Sequence, residues 1–195
     1  MEMIMTAAEQ KSRTARSYKL ILLFAMVSMI MMFAGLTSAF VVSKSRADWL
    51  KDFQLPIAFY YSTAAIIGCS VTFYLAKKAI QKDNQTRTTM FLLATLALGI
   101  LFVFLQFAGF GEIVESGYYF TGSGSSITTT FLYVVTVVHL IHLAGGVISL
   151  LIIIYNHFKQ KYNSSQTLGI ELGAMYWHFL DLLWVYLFLF LYFFK

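Results

Sequence analysis

The sequence is short of everything that keeps a chain in water. Of 195 residues, 14 are basic and 9 acidic, a charged share of 12%, about half the 25% usual in a soluble domain. The apolar share is 59% and the mean hydropathy +0.72, more apolar surface than a water-soluble domain of this length could hide. The same numbers exclude disorder, collagen-like repeats and a disulfide scaffold. A single cysteine, Cys69, excludes an internal disulfide and any Cys-rich zinc or iron–sulfur motif. Lying inside an apolar run, it reads as a small packing residue. No P-loop, nucleophile elbow, paired catalytic carboxylates or dinucleotide fingerprint is present. The net charge is +5, but the basic residues are scattered between apolar runs, which argues against a nucleic-acid stripe.

What the chain has is length of apolar run. A bilayer core of about 30 Å needs roughly 20 apolar residues in a helix, and five stretches qualify, at about 19–42, 56–76, 89–111, 127–155 and 173–194. The lone proline, Pro56, stands where proline suits a helix start. No stretch alternates as a barrel strand would, so the expected architecture is all-α: an integral membrane bundle of five transmembrane helices at 19–195 behind a tail at 1–18. The first run is too long for a signal-peptide core and is expected to stay as an anchor. Ten basic residues fall in the tail and the second and fourth loops, against four on the opposite side, Lys44, Arg46, Lys51 and Lys195. By the positive-inside rule the N-terminus is cytoplasmic and the C-terminus outside. A third loop starting near Gly111, with Glu112 and Glu115 and no basic residue, agrees.

Within the spans the ionisable residues are His139 and His142 in the fourth, and His178 and Asp181 in the fifth. Each such residue costs about 2.5–3.5 kcal/mol or more at a helix centre and needs a partner or a function. Both pairs have i, i+3 spacing and so share a helix face. Gln106 is a neutral polar residue able to bond across helices. A metal site is the sharp reading, since three histidines and an aspartate suit zinc or iron. Depth argues against it: His142 would lie about 20 Å from the cytoplasmic end of its helix, and Asp181 about 12 Å. Axial haem ligation meets the same mismatch. The competing reading is hydrogen bonding, with His178 and Asp181 paired to each other or to a partner subunit, and His139 and His142 bonded to neighbouring helices. Trp177, Asp181 and Trp184 form a stripe that more often means packing than a ligand box. Gly145 and Ser149 beside Gly146, and Ala34-Gly35 with Ser38-Ala39, are small-residue packing surfaces.

The run Tyr176-Trp177-His178-Phe179-Leu180-Asp181-Leu182-Leu183-Trp184 resembles the last helix of subunit III of the haem–copper (cytochrome c) oxidases. His139-Leu140-Ile141-His142 matches that family's His-x-x-His, Gln106 a frequent glutamine, and Met31, Phe33, Ala34 and Gly35 its first-helix motif. Five spans are similar to the short bacterial form, which lacks two helices of the long one and keeps the same topology. The resemblance implies an accessory subunit that binds no redox cofactor, with haem and copper in partner subunits. It implies packing against catalytic subunit I and other oxidase subunits, held phospholipid, and support for proton uptake and active-site durability. The setting it implies is aerobic electron transport in the bacterial inner (cytoplasmic) membrane, with no nucleic acid as partner.

By the same resemblance His139, His142, His178, Asp181, Trp177, Trp184 and Gln106 are the structural or lipid-associated residues, none of them catalytic or metal-binding. The tryptophans would face acyl chains or subunit I. Met29 replaces the family's acidic residue in the first-helix motif, so no role of that carboxylate carries over. Two alternatives stand beside this reading. One is subunit III of a quinol oxidase; the other, of a different class, is a free-standing membrane metalloprotein or cytochrome using His139, His142 and His178. A transporter ranks last, since no internal repeat is evident.

Overall fold

The structure is a computed structural model that describes residues 7–50, 53–122, 125–164 and 166–194. Lys51 and Lys195, which enter the orientation count, and residues 1–6 of the tail lie outside the described residues. Five helices form: α1 (Ala7–Val42), α2 (Ile57–Ile80), α3 (Gln85–Glu115), α4 (Ile127–Phe158) and α5 (Leu168–Phe194). All five are long and apolar enough to cross a membrane, and no β-strand forms among the described residues. The all-α membrane bundle expected from hydropathy is the fold observed.

The helices overrun the apolar stretches, because helix propagation needs hydrogen bonds and tolerant side chains rather than apolar ones. The 36 residues of α1 extend about 54 Å, well beyond a hydrocarbon core of about 30 Å. Thus much of the tail expected at 1–18 is the first turns of α1. Likewise α5 begins at Leu168 rather than near 173, and α3 runs on to Glu115, so Glu112 and Glu115 belong to a helix and not to the third loop. Polar caps mark the true ends. Asn84 Oδ1 accepts the Arg87 N–H at 3.1 Å, and Ser126 and Thr129 form a reciprocal capping box. Asp83 and Gln160 take left-handed backbone at φ 53° and 54°, where α2 and α4 terminate.

The start of α2 is capped from another helix. Pro56 supplies no side-chain acceptor, and the Ile57 and Ala58 N–H groups donate instead to the Glu112 carboxylate of α3, at 2.9 and 3.2 Å. An anion at a helix N-terminus accepting two amide protons is a charge-assisted cap. We expect Glu112→Ala to lower stability by about 1–2 kcal/mol and Glu112→Gln by less. The comparison is of thermal midpoints in one detergent; an unchanged midpoint for Glu112→Ala would remove the cap from the account.

In packing, α2 contacts α3, α3 contacts α4, α4 contacts α5, and α5 returns to α2. Four helices thus close a ring, while α1 lies outside it along α4 and α5. Accordingly α5 is the most buried of the five and α1 the least. The seam of α1 uses Phe33, packed with Val135, Leu183 and Leu187, and Phe40, ringed by Trp49, Phe131 and Phe190. Polar ties hold it at intervals: Lys19 to Glu171 at 2.7 Å and Thr37 Oγ1 to Tyr186 OH at 3.3 Å. Inside the ring sit fully buried aromatics, Trp177, Trp184, Phe59, Phe73 and Phe102.

Candidate functional site

Gln106, His139, Trp177, Asp181 and Trp184 are buried on the inner faces of α3, α4 and α5, whereas His142 and His178 are half-buried. Trp184 packs edge-on against Phe59 of α2 and Phe102 of α3, with ring centroids 5.9 and 5.1 Å away. Its indole N–H donates to Thr63 Oγ1 of α2 at 3.1 Å. Trp177 donates to the Gly146 carbonyl of α4, also at 3.1 Å. Two glycines make room for it. A Cβ on Gly99 would lie 3.0 Å from Trp177 Cη2, and one on Gly146 would lie 3.0 Å from Leu180 Cδ1.

The tryptophans therefore do not face acyl chains or a partner, as the resemblance implied; neither has exposed surface in the single chain. The reason is chemical as well as steric. An indole N–H in hydrocarbon has no acceptor, whereas inside the ring it reaches a threonine hydroxyl and a backbone carbonyl.

The histidines part company. His139 is fully buried among the rings of Trp184, Phe102 and Phe33, at 5.2, 6.0 and 6.4 Å. Neither of its nitrogens has a hydrogen-bond partner in the chain. His142 is half-buried and turned toward α1, 5.8 Å from the Phe33 ring. Its Nδ1 lies 2.7 Å from the Val138 carbonyl of its own helix, so the expected bond to a neighbouring helix is not its side chain's. The link between helices at that point is made by its carbonyl, which accepts from Tyr176 OH at 3.0 Å. His178 reaches α2, with Nδ1 2.8 Å from Ser70 Oγ.

His178 and Asp181 therefore do not bond to each other. Asp181 is 3% exposed and lies beside Cys69 and Ser70 of α2, and neither carboxylate oxygen makes a hydrogen bond of ordinary geometry. Gln106 donates to Ser62 Oγ of α2 at 2.8 Å, and its Oε1 stays unpaired.

His142 and Asp181 are not at different depths. Contacts of Trp184 with His139 and of Trp177 with Gly146 set an antiparallel register in which His142 and Asp181 lie at one level. Measuring from the observed ends, Phe158 and Leu168, removes only about 3 Å of the offset of about 8 Å; the rest disappears because the two helix ends are not themselves level. What separates the two groups is azimuth: His142 turns toward α1 and Asp181 toward α2. Among the described residues no three His, Cys, Asp or Glu side chains are placed to hold a metal ion.

Several participants carry no signal in the sequence. Ser62, Thr63, Ser70 and Tyr176 look like ordinary span residues until the fold brings an acceptor or donor opposite them. A second set is visible only as unpaired polar atoms: Tyr133 OH, Thr136 Oγ1 and the His139 nitrogens, spaced three apart along α4. An unpaired buried polar group costs about 1–3 kcal/mol. Replacing Asp181 by leucine is therefore expected to leave the isolated chain as stable as before or up to that much more so. Unfolding in graded denaturing detergent reads this directly. A comparable fall in stability would mean that the carboxylate has a partner within the chain.

This arrangement defines a class: a polytopic membrane protein whose interior is packed aromatic rings, with some buried polar side chains bonded between helices and others left without a partner in the chain. A sequence profile of the family described as Cytochrome c oxidase subunit III matches residues 5–195. The cytochrome c oxidase subunit 3 of Aedes aegypti is 34% identical over 140 residues, covering 72% of this chain and 50% of that protein. The subunit 3 of Spodoptera frugiperda is 32% identical over 140 residues, 72% of this chain and 89% of that protein. For Petromyzon marinus the identity is 31% over 143 residues, 73% and 51% of the two chains. The chain belongs to the cytochrome c oxidase subunit III family, within the haem–copper oxidases. It spans about half the length of most of these curated relatives.

Proposed function

We propose that this chain is the accessory, non-catalytic subunit III of a cytochrome c oxidase, seated in a bacterial inner membrane with its N-terminus cytoplasmic. It packs against the catalytic subunit, holds phospholipid, and supports proton uptake and the durability of the active site in aerobic electron transport. The observation that carries this reading is the division of labour between inside and outside. The interior is filled by aromatic rings and by hydrogen bonds from Trp177, Trp184, Gln106 and His178 to neighbouring helices. The outside is broad apolar surface: Phe104 and Phe107 on α3, Ile141 and Ile148 on α4, and Leu182 and Phe193 on α5 are all exposed. Such surface serves for lipid and for another membrane subunit alike.

A groove of about 400 Å³ between α1, α4 and α5, lined by Tyr18, Leu22, Ser149, Ile153, Tyr162 and Tyr176, suits an acyl chain. The cytoplasmic position of the N-terminus rests on the basic residues of the tail and of the α2–α3 and α4–α5 turns. Of the residues singled out, Trp177, Trp184, Gln106 and His178 serve this role by tying the helices on which those surfaces are displayed, while His139, His142 and Asp181 make no side-chain bond to another helix of the chain.

Affinity purification of the tagged chain in a mild detergent is the direct test. Haem-bearing subunits should accompany it in stoichiometric amount. Oxidase assembled without it should start turnover at a near-normal rate and then lose activity faster. Recovery of the chain alone, or immediate loss of all oxygen reduction in the depleted complex, would refute the proposal.

A further inference from the structure

At the turn joining α2 to α3 lies a recess of about 220 Å³, floored by Leu75, Ala79 and Phe91 and rimmed by Lys78, Lys82 and Arg87. All three cations are exposed. The ion pairs among the described residues are Lys19–Glu171 and Arg46–Asp48, so no carboxylate neutralises this rim. Asp83, the acid within the turn, is engaged elsewhere and accepts the Ser164 N–H at 2.7 Å. The N-terminus of α3 opens onto the same recess, and its first turn carries no acidic residue. Its partial positive charge therefore adds to that of the rim. The floor is apolar, and Leu75 and Phe91 belong to the membrane-spanning stretches of their helices.

We propose that this recess binds the headgroup phosphate of an anionic phospholipid, its acyl chains running along Leu75 and Phe91. A free anion satisfies the rim but leaves the floor without cover, and a neutral lipid satisfies the floor but leaves the rim without a counter-anion, Lys78 lying only over the Tyr74 ring at 5.7 Å. Only a molecule that is anionic at one end and apolar along its body answers both. The site is separate from the groove between α1, α4 and α5, and it requires the chain to span a membrane without depending on which oxidase it serves. The competing role for Lys78 is to complement the α2 C-terminus, and that role would show in stability rather than in lipid choice.

The test uses the full chain in nanodiscs of phosphatidylcholine with increasing phosphatidylglycerol, with retained lipid counted by native mass spectrometry. Lys78→Gln, Lys82→Gln and Arg87→Gln should each weaken phosphatidylglycerol binding about fivefold, the worth of one basic side chain at an anionic surface. Phosphatidylcholine binding should not change. A control that removes one charge from α1, Arg13→Gln, should leave phosphatidylglycerol binding intact. Equal weakening by the control would overturn the site in favour of diffuse attraction. Displacement of the lipid by inorganic phosphate at matched concentration would overturn it in favour of a plain anion pocket. Variants that melt earlier yet retain the lipid would assign the cations to α2 alone.

Discussion

Trp184→Ala is expected to destabilise the bundle by about 3 kcal/mol. Its ring meets Phe59, Phe102 and His139 within 6 Å, on three different helices, so its removal opens a cavity at the middle of the four-helix ring. Phe or Trp to Ala in a soluble core costs about 3–5 kcal/mol. Here the lower end applies, because in a bilayer the separated helices still sit in hydrocarbon and little transfer energy is lost. What remains is lost packing around a void. Thr63 is not stranded, since its hydroxyl also donates to the Phe59 carbonyl at 2.8 Å. Trp184→Phe should recover more than half of the loss. Unfolding free energy in mixed micelles measures both, and a loss below about 1 kcal/mol for the alanine variant would show that the neighbours collapse to fill the space.

The second large effect comes from the opposite change. A Cβ on Gly109 would collide with the Phe59 ring, whose Cδ1 would lie 2.6 Å away with Cε1 closer still. That ring has nowhere to swing, being boxed by Phe110 and Trp184 at 6.3 and 5.9 Å. Gly109→Val should therefore cost about 2–3 kcal/mol by overpacking, and Phe59→Leu in the same chain should restore part of it. Gly111 provides the internal comparison. It lies two residues further along the same helix, and a Cβ there meets nothing within 4 Å. Gly111→Ala should be neutral or stabilising by up to about 1 kcal/mol, from helix propensity alone. Equal effects at the two glycines would dismiss the steric account. Since Phe59 touches Trp184, the Trp184 and Gly109 variants should combine non-additively.

Gly109 and Gly111 also show where sequence reading stops. Both are glycines in an apolar run, and nothing in their neighbours along the chain separates the one that is pressed against a ring from the one that faces open space. The same holds for the polar residues. That His139, His142, His178 and Asp181 need an explanation follows from their cost in hydrocarbon. Which of them is bonded does not follow. His178 finds Ser70 on α2, His142 turns back onto its own helix, and His139 and Asp181 have no partner in the chain. Spacing along one helix limits the face a side chain occupies, but the partner lies on another helix whose rotation is set by the whole bundle.

Helix ends lie beyond the apolar stretches for a related reason. Hydropathy reports where the membrane lies, and the backbone continues to coil past it. Taking Gly173 as the start of α5 and Tyr155 as the end of α4, where the helices run from Leu168 and to Phe158, enlarges the apparent offset of Asp181 against His142, and the inter-helix contacts remove the rest. The cap on α2 was likewise hidden, because Glu112 lies 55 residues beyond the amide it serves.

Taken alone, the amino-acid order determined that this polypeptide crosses a bilayer five times as helices. A run of about 20 apolar residues has no other way to satisfy its backbone in hydrocarbon. The order of motifs in its last two helices also carried the family. The tertiary structure decided that α2 to α5 close a ring with α1 outside, that both tryptophans turn inward, and that His142 and Asp181 look away from each other at one level. Those outcomes depend on how helices rotate and mesh, which is a matter of shape complementarity between surfaces far apart in sequence.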